Sequence, residues 1–218
     1  YRAVLNQIIS SDMTIYQNQK DCLDLLLNMN IDLPFNENKE ARQMAMKVSQ
    51  YAHNMAEKCA ALTGDGNFDD IYWKYLLLEA PHLFESYLLY MEKNRPDSKK
   101  FYIPRRKTLH VVAQDLQDLE ERKIEFYGLS LPSRVGKSTM CIFFMSWIMG
   151  KRPNSHSAMG GHSGKLAKGF YGELLNLINT QEYNYSEIFP QSKLQKQSAD
   201  DFEIKSYPIR KYISRISE

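Results

Sequence analysis

The sequence predicts an α/β protein, with part of a parallel sheet preceded by an α-helical region. Three observations carry this. From residue 1 to about Glu92, stretches such as Asp21 to Asn28 and Glu40 to Ala61 place apolar residues at three- and four-residue intervals without β-branched alternation, the pattern of helices. Lys123 to Leu131, KIEFYGLSL, mixes aromatic and branched residues over strand length and leads through a short loop into the apolar helix Ser138 to Met149. A second strand-like run, Ser157 to Ser163, precedes a helical pattern from Leu166 to Ile178, and such alternation builds parallel sheets.

The 218 residues suit one sizeable domain and a smaller unit, since domains hold roughly 100 to 200 residues. We read a helical N-terminal region (1–93), a basic connector (94–107) and the first half of an α/β domain (108–218). Within the first, breaks fall at Asn30 to Asn38, with Pro34, and at Thr63 to Asn67, where Gly64 and Gly66 are suited to positive φ. A further helix runs from about Pro81 to Met91. The connector NRPDSKKFYIPRRK holds two prolines and is the strongest boundary signal. Beyond it, Leu109, Val112, Leu116 and Leu119 mark a helix over Thr108 to Glu120.

A formal charge of +2 is too small to announce a nucleic-acid partner. Three cysteines (Cys22, Cys59, Cys141) without metal-type spacing point to reduced thiols used as small core residues. The most apolar window, Met140 to Met149, is about half of the ~20 residues that a bilayer span requires, so no membrane partner is expected. Neither a signal sequence nor a lipidation motif is read, and a cytoplasmic location is expected.

The chemistry concentrates in Leu131 to Thr139, LPSRVGKST. A triphosphate needs converging backbone N–H groups, a positive helix end and a mobile ammonium. Ser133, Arg134, Val135 and Gly136 form the turn. Lys137 can reach the β and γ oxygens, Ser138 can complete a magnesium shell, and Thr139 adds a second hydroxyl. The general motif G-x-x-x-x-G-K-[ST] has Leu131 at its first glycine position, but the strand-like lead-in and the apolar helix supply the expected context of a P-loop NTPase-type fold. ATP and Mg2+ are the expected ligands. Arg134 either lies against the γ-phosphate, stabilising transferred charge, or points to solvent or a neighbouring acid. Hydrolysis also needs an acid at the end of a neighbouring strand. Asp69 and Asp70 precede the loop, and Asp200 and Asp201 follow a polar stretch, so no apolar strand leads into either pair. Turnover by this chain alone is therefore not expected.

LPSRVGKST, the apolar helix after it and SAMGGHSGKLAKGFYGELLNLI together resemble the start of the ATPase domain of tailed-phage or prophage terminase large subunits, whose loop takes the form Pro-x-Arg-x-Gly-Lys-Ser. The lead-in FYIPRRKTLHVVAQDLQDLEERKIEFYGLSLPSR resembles the same family, and the likeness extends over about Phe84 to Phe202. The resemblance implies an ATP-driven motor that moves double-stranded DNA into a procapsid in the host bacterial cytoplasm. Its implied partners are viral DNA, the small terminase subunit, the portal protein and other copies in a homo-oligomeric ring. Lys137 and Ser138 carry over as phosphate and magnesium contacts, and Arg134 as the loop arginine. The family's acidic catalytic residues and its nuclease carboxylates have no matching positions.

An adenine-contacting residue is also implied upstream, where Tyr102, Arg105, Gln114 and Gln117 are available and spacing does not choose among them. The two glutamines equally suit a solvated helix face, and Tyr102 with Arg105 suits a stacked base. Lys99, Lys100, Arg105, Arg106 and Lys107, interleaved with Phe101 and Tyr102, suit a DNA backbone, although a charged linker is the more ordinary reading. His156 and His162 lack ligand-spaced partners. Tyr183, Tyr185 and Phe189 read as a satellite core, and Met44 to Met55 as helix packing. Two rival classes remain: another P-loop ATPase such as a helicase or kinase, and a nucleotide-controlled interaction module without turnover.

Overall fold

The computed structural model describes residues 1–160, 162–197 and 202–206. The chain divides into two compact units, one over Tyr1–Glu79 and a second beginning at Ala80. The basic segment 94–107 lies inside the second unit.

The first unit is built from α1 (Arg2–Ile9), α2 (Tyr16–Asp32), α3 (Lys39–Thr63) and α4 (Gly66–Glu79). Helix α3 starts where the Asn38 side chain accepts from the Ala41 N–H at 2.9 Å, with Glu40 in the first turn facing the positive helix end. It stops at Gly64, whose φ of +67° is a left-handed cap open to glycine at little cost. Gly66 keeps an ordinary φ and begins α4. Ala45, Ala52 and Ala56 on α3 are fully buried, so their small side chains let α2 and α4 come close. Several polar groups inside this core are matched, although Gln19 Oε1 is buried without a partner among the described residues: the Tyr75 hydroxyl donates to the Gln19 carbonyl at 2.6 Å. The buried Glu79 carboxylate accepts from the Ser49 hydroxyl at 2.6 Å and meets His53 Nδ1 at 2.9 Å.

The second unit holds α5 (Phe84–Met91), α6 (Arg106–Glu120), α7 (Lys137–Lys151), α8 (Gly164–Asn179), the short α9 (Tyr185–Ile188), and strands β1 (Ser192–Gln197) and β2 (Phe202–Ser206). Single-turn 3-10 helices cover Asp97–Lys99 and Ile103–Arg105. Helix α7 is the axis of this unit. Trp147 is fully buried, its ring lies 5.2 Å from that of Phe84, and its Nε1 donates to the Ala80 carbonyl at 2.9 Å. Ser146 donates to the Phe143 carbonyl and so accepts from the Tyr87 hydroxyl at 2.6 Å. At the far end, the nearly buried Glu120 of α6 binds Lys151 at 2.8 Å and Arg152 at 2.5 Å. As the sequence suggested, Tyr185 and Phe189 are buried core aromatics, and the Phe189 ring sits directly against Gly150.

The helices match their periodicity, but the parallel sheet is not formed. The described residues are predominantly helical, and their only strands, β1 and β2, pair antiparallel with Ser192 opposite Ser206 and Leu194 opposite Ile204. Lys123 to Leu131, expected as a strand, is irregular, and Phe126 is 85% exposed. Ser157 to Ser163 is also without strand over its described residues, with Gly161 outside them. A parallel strand is stable only between neighbours that take up its N–H and C=O groups and cover both faces. No such neighbour exists among the described residues. The 123–131 segment instead runs past α6, where burial and the Asp115 carboxylate push the Tyr127 hydroxyl up to about 12. Aromatic and branched content there reported β-propensity, which context overrides.

Two expected outcomes test this packing. In a helix interior Gly→Ala gains roughly 0.5–1 kcal/mol. At Gly150, however, a Cβ would stand 2.2 Å from Phe189 Cδ2. Overpacking costs about 1–3 kcal/mol, so Gly150→Ala lowers the midpoint in thermal denaturation. Glu79→Ala removes the shared partner of Ser49 and His53, and each group left unpaired costs about 1–3 kcal/mol, which urea titration reads as a lower midpoint.

Candidate functional site

The loop begins where Leu131 leaves the irregular segment and ends in the first turn of α7. Gly136, at φ +104°, is the N-cap residue of α7 and offers no side-chain cap. The first N–H groups of α7 therefore keep their donors for a ligand, and the helix dipole adds partial positive charge at the same point. Arg134 also has a positive φ of +66°, uncommon for a residue with a Cβ, and stands exposed at the bend of the loop.

Lys137 is the residue that the loop surrounds. Its Nζ donates to the Leu131 carbonyl and to the Pro132 carbonyl, the latter at 3.0 Å. The backbone thus curls around one ammonium. Carbonyl oxygens are the weaker partners for that charge, and a phosphate, which adds full negative charge, would compete for it. Ser133 and Ser138 are exposed, and Val135, Gly136 and Thr139 are half-buried, so the hydroxyl expected to meet magnesium faces out of the core.

Behind the loop stands Phe101. A Cβ on Gly136 would lie only 2.1 Å from Phe101 Cε2, so the glycine is required both by its backbone angle and by the ring. Phe101 stacks on Phe143 of α7 at 5.8 Å with an interplanar angle of 20°, and Phe143 meets Tyr183 edge-on at 6.0 Å. The backbone before α6 is fixed by Glu92, a fully buried carboxylate that accepts from three successive N–H groups. These are Phe101, Tyr102 at 3.0 Å and Ile103 at 3.1 Å.

The upstream residues separate. Tyr102 is fully buried and its hydroxyl donates to Glu85 at 3.1 Å, so its ring is core and has no free face for a base. Gln117 is also committed. Its Oε1 accepts from the Phe84 N–H at 2.7 Å, and its Nε2 donates to the His82 carbonyl at 3.1 Å. Gln114 is exposed on α6. Arg105 is exposed, with its guanidinium 5.8 Å from the centre of the Phe101 ring and Nη1 donating to the Phe101 carbonyl at 3.0 Å. Phe101 and Glu92 were missed as site residues. Phe101 registered only as an aromatic within a basic run, and a carboxylate serving N–H groups nine to eleven positions ahead leaves no local signal.

The basic run is largely neutralised: Lys99 pairs with Glu182 at 3.1 Å, Lys100 with Asp97 at 2.8 Å and Arg106 with Glu85 at 2.9 Å. Asp69 and Asp70 lie on α4 in the first unit, where Asp70 pairs with Lys74 at 3.3 Å. Asp200 and Asp201 lie outside the described residues. His156 and His162 are exposed, and no cluster of three metal-ligating side chains occurs among the described residues. Cys22 and Cys59 are buried as expected, whereas Cys141 is exposed. Among the described residues no helix is long and apolar enough to cross a membrane.

Known protein families, curated proteins and solved structures give no match to this chain.

Gly136→Ala is expected to unseat the loop. The left-handed backbone alone costs about 1–2 kcal/mol with a Cβ present, and Phe101 must also move. Circular dichroism should show retained helix, while the Phe101 and Phe143 ring resonances shift; unchanged ring resonances would count against the contact.

Proposed function

We propose that this chain is the ATP-binding part of a terminase-type viral DNA-packaging motor, and that Leu131 to Thr139 binds ATP with magnesium. The observation that carries the reading is the enclosure of Lys137 by loop carbonyls at the uncapped start of α7, directly behind a left-handed Gly136. The resemblance of LPSRVGKST to the terminase loop supplies the biological context. The reading needs a loop, a helix end and an ammonium, all of which are local, and it makes no use of a parallel sheet.

In this reading Lys137 exchanges the Leu131 and Pro132 carbonyls for the β and γ phosphates, and Ser138 completes the magnesium shell. Arg134, exposed at the bend, turns toward the γ-phosphate and stabilises charge that moves during transfer. The acid that would activate water, the nuclease carboxylates, and the contacts to double-stranded DNA, the small subunit and the portal belong to the wider machine. Hydrolysis coupled to DNA movement is the role of that assembly, working as a ring in the host cytoplasm and at the procapsid portal.

Calorimetric titration of Mg·ATP tests the binding claim. The wild-type chain should bind saturably, and Lys137→Ala should weaken binding at least tenfold, since a hydrogen bond to a charged group contributes about 1.5–3 kcal/mol. Ser138→Ala should reduce the gain in affinity that magnesium brings. Equal isotherms for wild type and Lys137→Ala would sink the reading.

A further inference from the structure

We infer that Arg105 is a further binding residue, a second cation that grips the polyphosphate chain of the nucleotide from outside the loop. The inference rests on the phosphate-loop reading above and adds a residue that the loop motif does not contain.

Three observations lead to it. The first is position: the Phe101 ring lies against Gly136 and carries the Arg105 guanidinium 5.8 Å from its centre, so the cation and the loop share one ring as neighbour. The second is orientation. Arg105 is exposed, yet it is held by the aromatic ring and by its bond to the Phe101 carbonyl at 3.0 Å, and among the described residues its remaining guanidinium donors have no other partner. The ring is itself braced, because it is stacked on Phe143 and its backbone is tied to Glu92. The third is charge. Lys99, Lys100 and Arg106 in the same segment are each paired with a carboxylate, whereas no carboxylate pairs with Arg105 among the described residues. An oriented and uncompensated guanidinium beside an anion-binding helix end suits the planar, bidentate recognition that phosphate oxygens accept.

Phosphate is favoured over the nucleobase by the same geometry. A stacked base would need an open aromatic face, but Phe101 has both Phe143 and the Arg105 guanidinium against its ring, and Tyr102 is buried. Arg105 therefore acts as a charge and as a donor. Its contribution should be shared by any Mg·polyphosphate, with or without a base.

The test titrates Mg·ATP and magnesium tripolyphosphate into wild type, Arg105→Ala, Arg105→Lys and Lys137→Ala, with thermal denaturation of each. Arg105 lies on the surface, so Arg105→Ala should melt as wild type does while binding both ligands about tenfold more weakly. Arg105→Lys keeps the charge without the fork and should fall between the two. Three results overturn the inference. If Arg105→Ala binds both ligands as wild type does while Lys137→Ala loses them, the loop reading stands and the Arg105 contact fails. If Arg105→Ala loses affinity for ATP but not for tripolyphosphate, the arginine serves the base. If wild type binds neither ligand, the loop reading falls and this inference falls with it.

Discussion

The arrangement around the loop depends on the placement of Glu92. A carboxylate removed from water at the end of α5 is costly unless its oxygens are matched, and here three successive N–H groups of residues 101–103 match them. That capture fixes the backbone before α6 and with it the direction of Phe101. The ring then meets Gly136 and Phe143 together, so one residue braces both the left-handed turn and the first turns of α7. Without Glu92 the backbone that carries the ring loses its ties, and only the stacking on Phe143 is left to hold the wall behind the uncapped helix end.

The candidate site is thus a helix-borne one. The helix supplies oriented donors, the loop supplies enclosure, and Lys137 supplies charge. In a parallel sheet the strand before such a loop would be clamped on both edges. Here the lead-in is irregular and exposed, and support comes from the aromatic row Phe101, Phe143 and Tyr183 behind the loop. That row is anchored through Phe143 on α7, whose Trp147 and Ser146 are locked by Ala80 and Tyr87.

Much of this was legible in the sequence. The helices over Glu40 to Ala61 and Leu166 to Ile178 follow from spacing, because a helix that buries one face must repeat near every 3.6 residues. Gly64 announced its cap, and Gly136 the left-handed turn before α7. The strand over Lys123 to Leu131 was misread because aromatic and branched residues describe a preference that only neighbouring strands realise. Tyr102 was misplaced for a related reason: its ring suited a nucleotide or a core equally, and the Glu85 carboxylate, seventeen positions away, decided for the core. Glu92 had no signal because its partners are backbone groups, which are alike at every residue.

The central claim, that the start of α7 is the seat of a triphosphate, is tested most directly by amide hydrogen exchange at Val135 to Thr139 with and without Mg·ATP. The account predicts that first-turn amides without helical partners exchange fast in the free chain and are slowed severalfold by the nucleotide, with α4 of the other unit unaffected as an internal reference. Unchanged exchange at these amides under saturating Mg·ATP would contradict it.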